Sequence, residues 1–188
     1  LNSNYYRRLV FDEIMSNLIV LSHNRKQIFK FKKKPKIFDN KYSSKILSNL
    51  NFNLTKGQIK IINDINFDLK NNEKMFRLLQ GDVGSGKTII ALITASNVIE
   101  SKYQCALMAP TEILAKQHYE LCTKLFKNTS IKIAFLSGKT DYKKKKAIYK
   151  DLELGNIDLI IGTHSLFQKS IKFKNLGYII IDEQHKFG

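Results

Sequence analysis

Residues 75–88, MFRLLQGDVGSGKT, decide the fold of this chain. The first half is apolar and predicts a buried strand, and residues 89–98 continue with the pattern of an amphipathic helix. The loop between them has the spacing G-x-x-x-x-G-K-[ST], which forms a phosphate-binding loop when a strand precedes it and a helix follows. A plain glycine-rich turn is the weaker alternative, because every fixed position of the loop and both flanking segments match the phosphate-binding pattern. The strand prediction rests on Met75, Phe76, Leu78 and Leu79.

The residues of this loop suit a nucleotide phosphate and a magnesium ion. Glycine allows backbone conformations closed to other residues, so several N–H groups can converge on one anion beside a helix N-terminus. Lys87 is expected to reach the β- and γ-phosphates, and the Thr88 hydroxyl to ligate Mg²⁺. The predicted nucleotide-binding residues here are Gly81, Asp82, Val83, Gly84, Ser85, Gly86, Lys87 and Thr88.

A second acidic element completes the predicted site. The apolar run of residues 178–181 predicts a strand that leads into Asp182 and Glu183. Asp182 is expected to hold Mg²⁺, directly or through water, and Glu183 to orient and deprotonate the attacking water. An acidic pair that merely begins a surface loop is the alternative, and the strands that precede it disfavour that interpretation.

Between these two segments, continuously apolar strands alternate with helices. Strands are predicted at 105–109, 131–136 and 157–161, and helices at 113–127, with Thr111 as N-cap, and 142–154. This order predicts an α/β fold with a mainly parallel sheet, helices on both faces and ligands at the carboxyl ends of the strands. The loops at that edge offer small residues, hydroxyls and helix N-termini, which suit a nucleic-acid backbone. The candidate contacts are Pro110, Thr111, Gly138, Thr163 and His164.

Residues upstream of the phosphate loop add a candidate adenine site. Thr55 is predicted to cap a helix that begins before Ile59. Gln58 is suited to pair with the edge of an adenine, and Phe52 offers a stacking face. A glutamine near a helix start is commonly just solvated, but its position shortly before a phosphate loop favours the nucleotide role.

Residues 1–50 are predicted to be distinct from a lobe at 51–188. Residues 4–30 predict one long helix whose apolar stripe should pack on the lobe or on a domain upstream. Residues 25–36 then carry seven basic side chains. This basic arm is either a phosphate-contacting arm or a solvated linker, and the sequence leaves both open. The stripe consists of Val10, Ile14, Leu18 and Leu21.

Charge and composition favour a polyanionic partner and exclude other classes. The formal net charge is +16, of which residues 1–60 contribute +10, although AT-rich coding alone would also enrich lysine. No apolar run is long enough to span a membrane, and the N-terminus lacks the apolar region of a signal peptide. Cys105 and Cys122 have no metal-ligand spacing and are predicted to be buried small hydrophobes in a reducing cytoplasm.

Five segments together resemble the RecG family of bacterial branched-DNA helicases in superfamily 2. They are FNLTKGQ, GDVGSGKT, MAPTEILAKQH, GTHSLFQ and FKNLGYIIIDEQHKFG, within residues 5–188. The resemblance implies a monomeric, cytoplasmic, ATP- and Mg²⁺-dependent helicase that remodels replication forks and Holliday junctions in DNA repair and recombination. Within DEQH, Gln184 and His185 would couple the ATP site to DNA. The transcription-repair coupling factor, whose motif resembles DEEH, is the nearest alternative.

The resemblance also implies domains outside this chain. A wedge domain would lie upstream and a second RecA-like lobe downstream, and the second lobe would supply the arginines that act when the lobes close. The chain has no initiator Met and ends just after DEQH, so we expect a linker helix joined to a truncated first RecA-like lobe. Such a piece is expected to bind nucleotide weakly and not to unwind DNA. A non-catalytic DNA-binding remnant is the other alternative.

Overall fold

The computed structural model of the chain describes residues 4–29 and 32–183, with side chains from residues 5–24 and 32–183. The helices are α1 (Asn4–Phe29), α2 (Lys41–Ser48), α3 (Lys56–Lys70), α4 (Lys87–Glu100), α5 (Glu112–Leu125) and α6 (Tyr142–Leu154), with a 3-10 helix at His164–Phe167. The strands are β1 (Gln104–Met108), β2 (Ile133–Leu136), β3 (Leu159–Gly162) and β4 (Leu176–Ile181).

The four strands form one parallel sheet in the order β2-β3-β1-β4. β1 pairs with β3 on one side and with β4 on the other, so that Ala106 lies opposite both Ile160 and Ile179. Helical crossovers return the chain to the same end of the sheet after each strand, which is what parallel pairing requires. The predicted fold class, an α/β lobe with a mainly parallel sheet, is confirmed.

Helices cover both faces of this sheet. Cys105 and Leu107 of β1 face a large core with α3, α4 and α5, because alternate strand residues point to opposite faces. Ala106 and Ile160 face a smaller core that includes Leu152 of α6. Both cysteines are free and buried, as predicted, and burial raises the pKa of Cys122 to about 12.

α4 lies inside the lobe rather than on its surface. Its apolar residues continue nearly all round the helix, and a helix of that kind is buried on every side. The sheet packs on one side of α4, and α2 and α3 pack on the other. The residues before the phosphate loop therefore form an outer layer. Phe38 and Ile46 belong to the same buried core as α4.

Two helix caps form as predicted. The Thr55 hydroxyl oxygen accepts a hydrogen bond from the Gln58 N–H, and the Gln58 side-chain oxygen accepts one from the Thr55 N–H, which makes a capping box. Thr111 caps α5 by accepting from the N–H of Leu114. Both caps lie where the chain leaves an extended segment and enters a helix, so they set the first turn of each helix.

The strand predicted at residues 75–79 is wrong. These residues form no strand, and Phe76 and Leu78 are 71% and 78% exposed. A strand is stabilised by hydrogen bonds to a neighbour, and in the described part of the chain this segment is not hydrogen-bonded into the sheet. Arg77 instead holds the segment to α3 through an ion pair with Asp68.

The long N-terminal helix is confirmed as α1, but its stripe does not pack on the lobe. Ile14, Leu18 and Leu21 are all more than half exposed. Packing on the lobe was one of the two alternatives for this stripe, and the described side chains contradict it. Packing on an upstream domain stays a prediction.

The basic arm packs on the lobe at the end of α3. The Lys33 ammonium donates hydrogen bonds to the carbonyl oxygens of Asp68, Leu69 and Asn71 in the last turn and C-cap of α3. The first two oxygens also accept from the N–H groups of Asn71 and Lys36. Lys36 is 5% exposed, and its Nζ lies 3.2 Å from the centre of the Tyr103 ring. Desolvation lowers the pKa of Lys36. The side chains of residues 25–31 lie outside the described residues.

We expect replacement of Lys33 by Ala to destabilise the lobe by about 1–2 kcal/mol, because it removes a charged cap from the carbonyls that end α3. Lys34→Ala is the matched control, since Lys34 is the exposed next residue. Denaturant unfolding of both variants measures the difference. Equal free energies of unfolding for the two variants would contradict a stabilising role for Lys33 at the end of α3.

Candidate nucleotide and nucleic-acid site

Parallel pairing brings the candidate loops to one edge of the sheet. The carboxyl ends of β1, β3 and β4 lie side by side, with Met108 opposite Gly162 and Ile181. β2 ends beside β3, with Leu136 opposite Gly162. The loops that follow these strands contain all the predicted DNA contacts and Asp182, so the structure gathers them at this carboxyl edge.

The phosphate loop opens directly into α4. Gly84 and Gly86 have φ values of 81° and 84°, in the left-handed region that glycine adopts without strain. Gly86 is the N-cap of α4, and Lys87 is its first residue. The Lys87 Nζ donates to the carbonyl oxygens of Gly81 and Asp82, each at 2.7 Å. These two bonds leave one of the three N–H donors of the ammonium for a phosphate oxygen.

Gln58 connects the candidate adenine site to the phosphate loop. Its amide nitrogen donates to the carbonyl oxygen of Ser85 at 3.0 Å, while its oxygen accepts from Thr55. A side-chain amide has two N–H donors and two acceptor lone pairs, so these bonds leave one of each for an adenine edge. Phe52 lies nearby in sequence and is about half exposed. The adenine roles of Gln58 and Phe52 stay predictions.

Asp182 is held firmly at the end of β4. Its N–H donates to the Met108 carbonyl at 2.8 Å, which continues the pairing of β4 with β1. Its carboxylate lies 2.7 Å from the Nε2 of His118. The hydrogen bond from His118 holds the pKa of Asp182 below its usual range against the opposing effect of burial, and the Glu183 N–H and the charge of Lys87 act in the same direction.

α4, which begins at Lys87, packs on β4, which ends just before Asp182, so the two halves of the site belong to one packed unit. Glu183 follows with φ 52°, a left-handed conformation that is uncommon for residues other than glycine. A backbone in this region can store strain at a functional site. The position of Glu183 beside Asp182 suits its predicted task, which stays a prediction.

Thr88 and Asp182 fit a magnesium ion bound together with a nucleotide. Mg²⁺ prefers hard oxygen ligands and commonly takes one or two from the protein, with the rest from phosphates and water. A hydroxyl and a carboxylate supply such oxygens. Within the described residues, no group of three or more His, Cys, Asp or Glu side chains gathers to bind a metal, so the phosphates of the nucleotide would have to complete the coordination.

The candidate DNA loops after β1 and β2 lie beside each other. The Ser137 hydroxyl donates to the Glu112 carboxylate at 3.2 Å, and the Lys139 ammonium lies 3.7 Å from the same carboxylate. An open groove runs between these loops, with Thr140 and Lys144 also in its wall. Gly138 is exposed at its rim. Pro110, Thr111, Thr163 and His164 lie at the same edge, and their contacts with DNA stay predictions.

Sequence reasoning missed His118 as a site residue. The buried positions of α5 are Ala115, His118, Cys122 and Leu125, so a histidine occupies an otherwise apolar stripe. A polar residue in such a stripe is the available sequence signal, because its burial requires a hydrogen-bond partner. Gln184 and His185, predicted to couple ATP to DNA, lie outside the described residues.

This edge has the geometry of a nucleotide-dependent motor lobe, and comparison with known proteins defines the class. The sequence pattern described as DEAD/DEAH box helicase matches residues 55–188. The chain belongs to this helicase family.

The more particular resemblance to RecG is also confirmed. The chain is 45% identical to the ATP-dependent DNA helicase RecG of Aquifex aeolicus and 40% identical to that of Thermotoga maritima, over 98% and 96% of its length. It covers 23% of each of these relatives, or about a quarter of their length. A solved structure of RecG bound to a three-way DNA junction matches 97% of the chain and 25% of that protein, with a TM-score of 0.88 and 40% identity.

A more distant structure supports the fold alone. A hypothetical ATP-dependent RNA helicase from Sulfolobus tokodaii is 21% identical and has a TM-score of 0.58 over 78% of this chain and 42% of that protein. The RecA-like architecture therefore persists where most of the sequence has changed.

The contact between Gln58 and the phosphate loop predicts a specific energetic coupling. A Cβ atom at Gly86 would lie 2.6 Å from the Gln58 Nε2, so Gly86→Ala must displace the Gln58 side chain from Ser85. We expect Gly86→Ala to cost more stability than Gly84→Ala, which meets no neighbouring atom and carries only the left-handed penalty of about 1–2 kcal/mol.

The double variant tests this coupling. Gln58→Ala should cost less in the Gly86→Ala background than in the unmodified chain, with a coupling free energy of about 0.5–3 kcal/mol. Denaturant unfolding of the four proteins in the cycle gives this value. Additive losses would show that Gln58 does not support the loop.

Proposed function

We propose that the chain is the ATP-binding lobe of a RecG-like DNA helicase, which couples ATP hydrolysis to the remodelling of forked and branched DNA. The observation that carries this proposal is a phosphate loop that opens into α4, which packs on β4, while Asp182 follows β4 at the carboxyl edge of a parallel sheet. The similarity to RecG along nearly the whole chain supports the choice of branched DNA.

The proposed chemistry is phosphoryl transfer to water. Lys87 and the N–H groups of the loop bind the phosphates of ATP, while Thr88 and Asp182 hold Mg²⁺. Bound Mg²⁺ neutralises charge on the phosphate oxygens. Glu183 orients the attacking water and accepts its proton. Gln58 and Phe52 hold the adenine.

Packing supports an earlier boundary for the lobe than residue 50. Phe38 and Ile46 lie in the core of the lobe, and the Asp39 N–H donates to the Glu100 side chain at the end of α4. We therefore place the start of the lobe near Lys32 and assign α1 to the linker that joins it to an upstream wedge domain. A second RecA-like lobe would follow.

The proposed protein acts as a monomer in the bacterial cytoplasm. In the part of the chain that the structure describes, no helix combines the length and the apolar character needed to cross a bilayer.

The second lobe would contribute the arginine that typically raises turnover about 10³–10⁵-fold in such enzymes. This lobe alone is therefore expected to bind nucleotide without turning it over efficiently, and strong fork-stimulated ATPase from the isolated chain would contradict that expectation.

The proposed DNA track follows the carboxyl edge, opposite the basic arm. α3 is about 22 Å long, begins beside the phosphate loop and ends where Lys33 caps it. Tyr103, which contacts Lys36, immediately precedes β1 and so lies at the amino edge. Of the two roles left open for the arm, the solvated linker does not describe Lys33 and Lys36, whose ammonium groups contact the lobe itself.

Lys87→Ala in the complete protein is expected to lower DNA-dependent ATPase by about 10²-fold or more, because it removes a charge aimed at the transferred phosphate. Binding to forked DNA should be largely retained. Lys150→Ala, an exposed lysine of α6, is the control. Steady-state phosphate release and fluorescence anisotropy with labelled forks measure the two properties. Unchanged ATPase would contradict the assignment of the loop.

The two edges should differ in the salt dependence of DNA binding. Replacement of Lys139 and Lys144 by Ala at the carboxyl edge is expected to reduce the slope of log K against log salt by about 1 per lysine. Replacement of Lys32 and Lys34 at the amino edge should leave the slope unchanged. Titration of duplex binding with salt measures both pairs. A lower slope only after replacement of Lys32 and Lys34 would show that DNA binds at the amino edge and would contradict the proposed track.

A further inference from the structure

His118 occupies an unusual position for a polar side chain. It is 7% exposed, at the centre of the face of α5 that packs on the sheet, between Ala115 and Cys122. α5 packs mainly on β2 and β3, yet the His118 ring extends to the end of β4. A buried imidazole requires a hydrogen-bond partner, and this one contacts the residue proposed to hold the metal.

The contact defines which atom carries the proton. The Asp182 carboxylate is an acceptor, so the Nε2 of His118 donates across the 2.7 Å that separates it from Oδ2. The second carboxylate oxygen is not engaged by His118. Side chains behind a metal ligand commonly fix its orientation, and their loss typically lowers metal affinity or activity about 10–100-fold.

We propose that His118 is a positioning residue that turns the Asp182 carboxylate so that its other oxygen faces the Mg²⁺ of a bound nucleotide. This inference rests on the proposed function. His118 contacts neither nucleotide nor metal in this role and acts only through Asp182. No sequence motif for the phosphate loop or the acidic pair includes it.

The same geometry distinguishes positioning from simple packing. If His118 only fills space, a ring of similar size without a donor should preserve the Mg²⁺ dependence of nucleotide binding. If the hydrogen bond matters, a donor at the position of Nε2 should suffice. A glutamine amide nitrogen reaches nearly as far along the side chain as the histidine Nε2, so His118→Gln tests the donor and His118→Phe tests the volume.

The experiment measures how nucleotide binding depends on Mg²⁺. A fluorescent, non-hydrolysable ATP analogue is titrated at a series of Mg²⁺ concentrations into the unmodified chain and into His118→Ala, His118→Phe and His118→Gln. Cys122→Ala is the matched control, because Cys122 lies one turn further along the same buried stripe. Thermal unfolding of each variant is recorded in parallel.

We expect His118→Ala and His118→Phe to raise the Mg²⁺ concentration for half-maximal binding about tenfold or more, with no change in binding without Mg²⁺. His118→Gln should recover most of this loss. Cys122→Ala should lower stability and leave the Mg²⁺ dependence unchanged. His118→Phe with the Mg²⁺ dependence of the unmodified chain would overturn the inference, as would a failure of glutamine to recover it. Absence of Mg²⁺-dependent binding in the unmodified chain would instead overturn the proposed function.

Discussion

Parallel pairing of β1 with both of its neighbours is the constraint on which the site depends. Because β3 and β4 run in the same direction as β1, each strand delivers the residues that follow it to one edge. Asp182 is at that edge because its N–H extends the pairing to Met108. Residues far apart in sequence are thereby brought to one edge by the pairing of the strands, as in other open α/β sheets.

α5 links the two functions proposed for this edge. Its first turn begins at Thr111, a candidate DNA contact, and its Glu112 side chain accepts from Ser137 in the next loop. Two turns along, His118 contacts Asp182. A single helix therefore contacts the candidate DNA track at its start and the candidate metal ligand near its middle. A displacement of α5 by DNA would change both contacts, because the helix is a continuous hydrogen-bonded unit.

Local chemistry explains which features could be predicted from the sequence. The caps at Thr55 and Thr111 and the bounds of α6 depend on a few adjacent residues, and they form as predicted. The strand predicted at 75–79 failed because an apolar run specifies burial, whereas a strand also needs a hydrogen-bonded neighbour. The role of His118 depends on packing between elements 64 residues apart, which periodicity along one helix does not reveal.

The distribution of lysine shows why net charge alone is a weak guide to a binding surface. The first 60 residues carry most of the net charge, yet the described lysines with defined partners there, Lys33 and Lys36, stabilise the end of α3 and cover Tyr103. Their ammonium groups are engaged at the edge of the sheet opposite the phosphate loop. At the candidate edge, Lys139 lies beside the acidic Glu112, so part of the positive charge there is offset. A phosphate backbone would be recognised there by helix N-termini, hydroxyls and a few exposed ammonium groups, which depend on the arrangement of the loops more than on total charge.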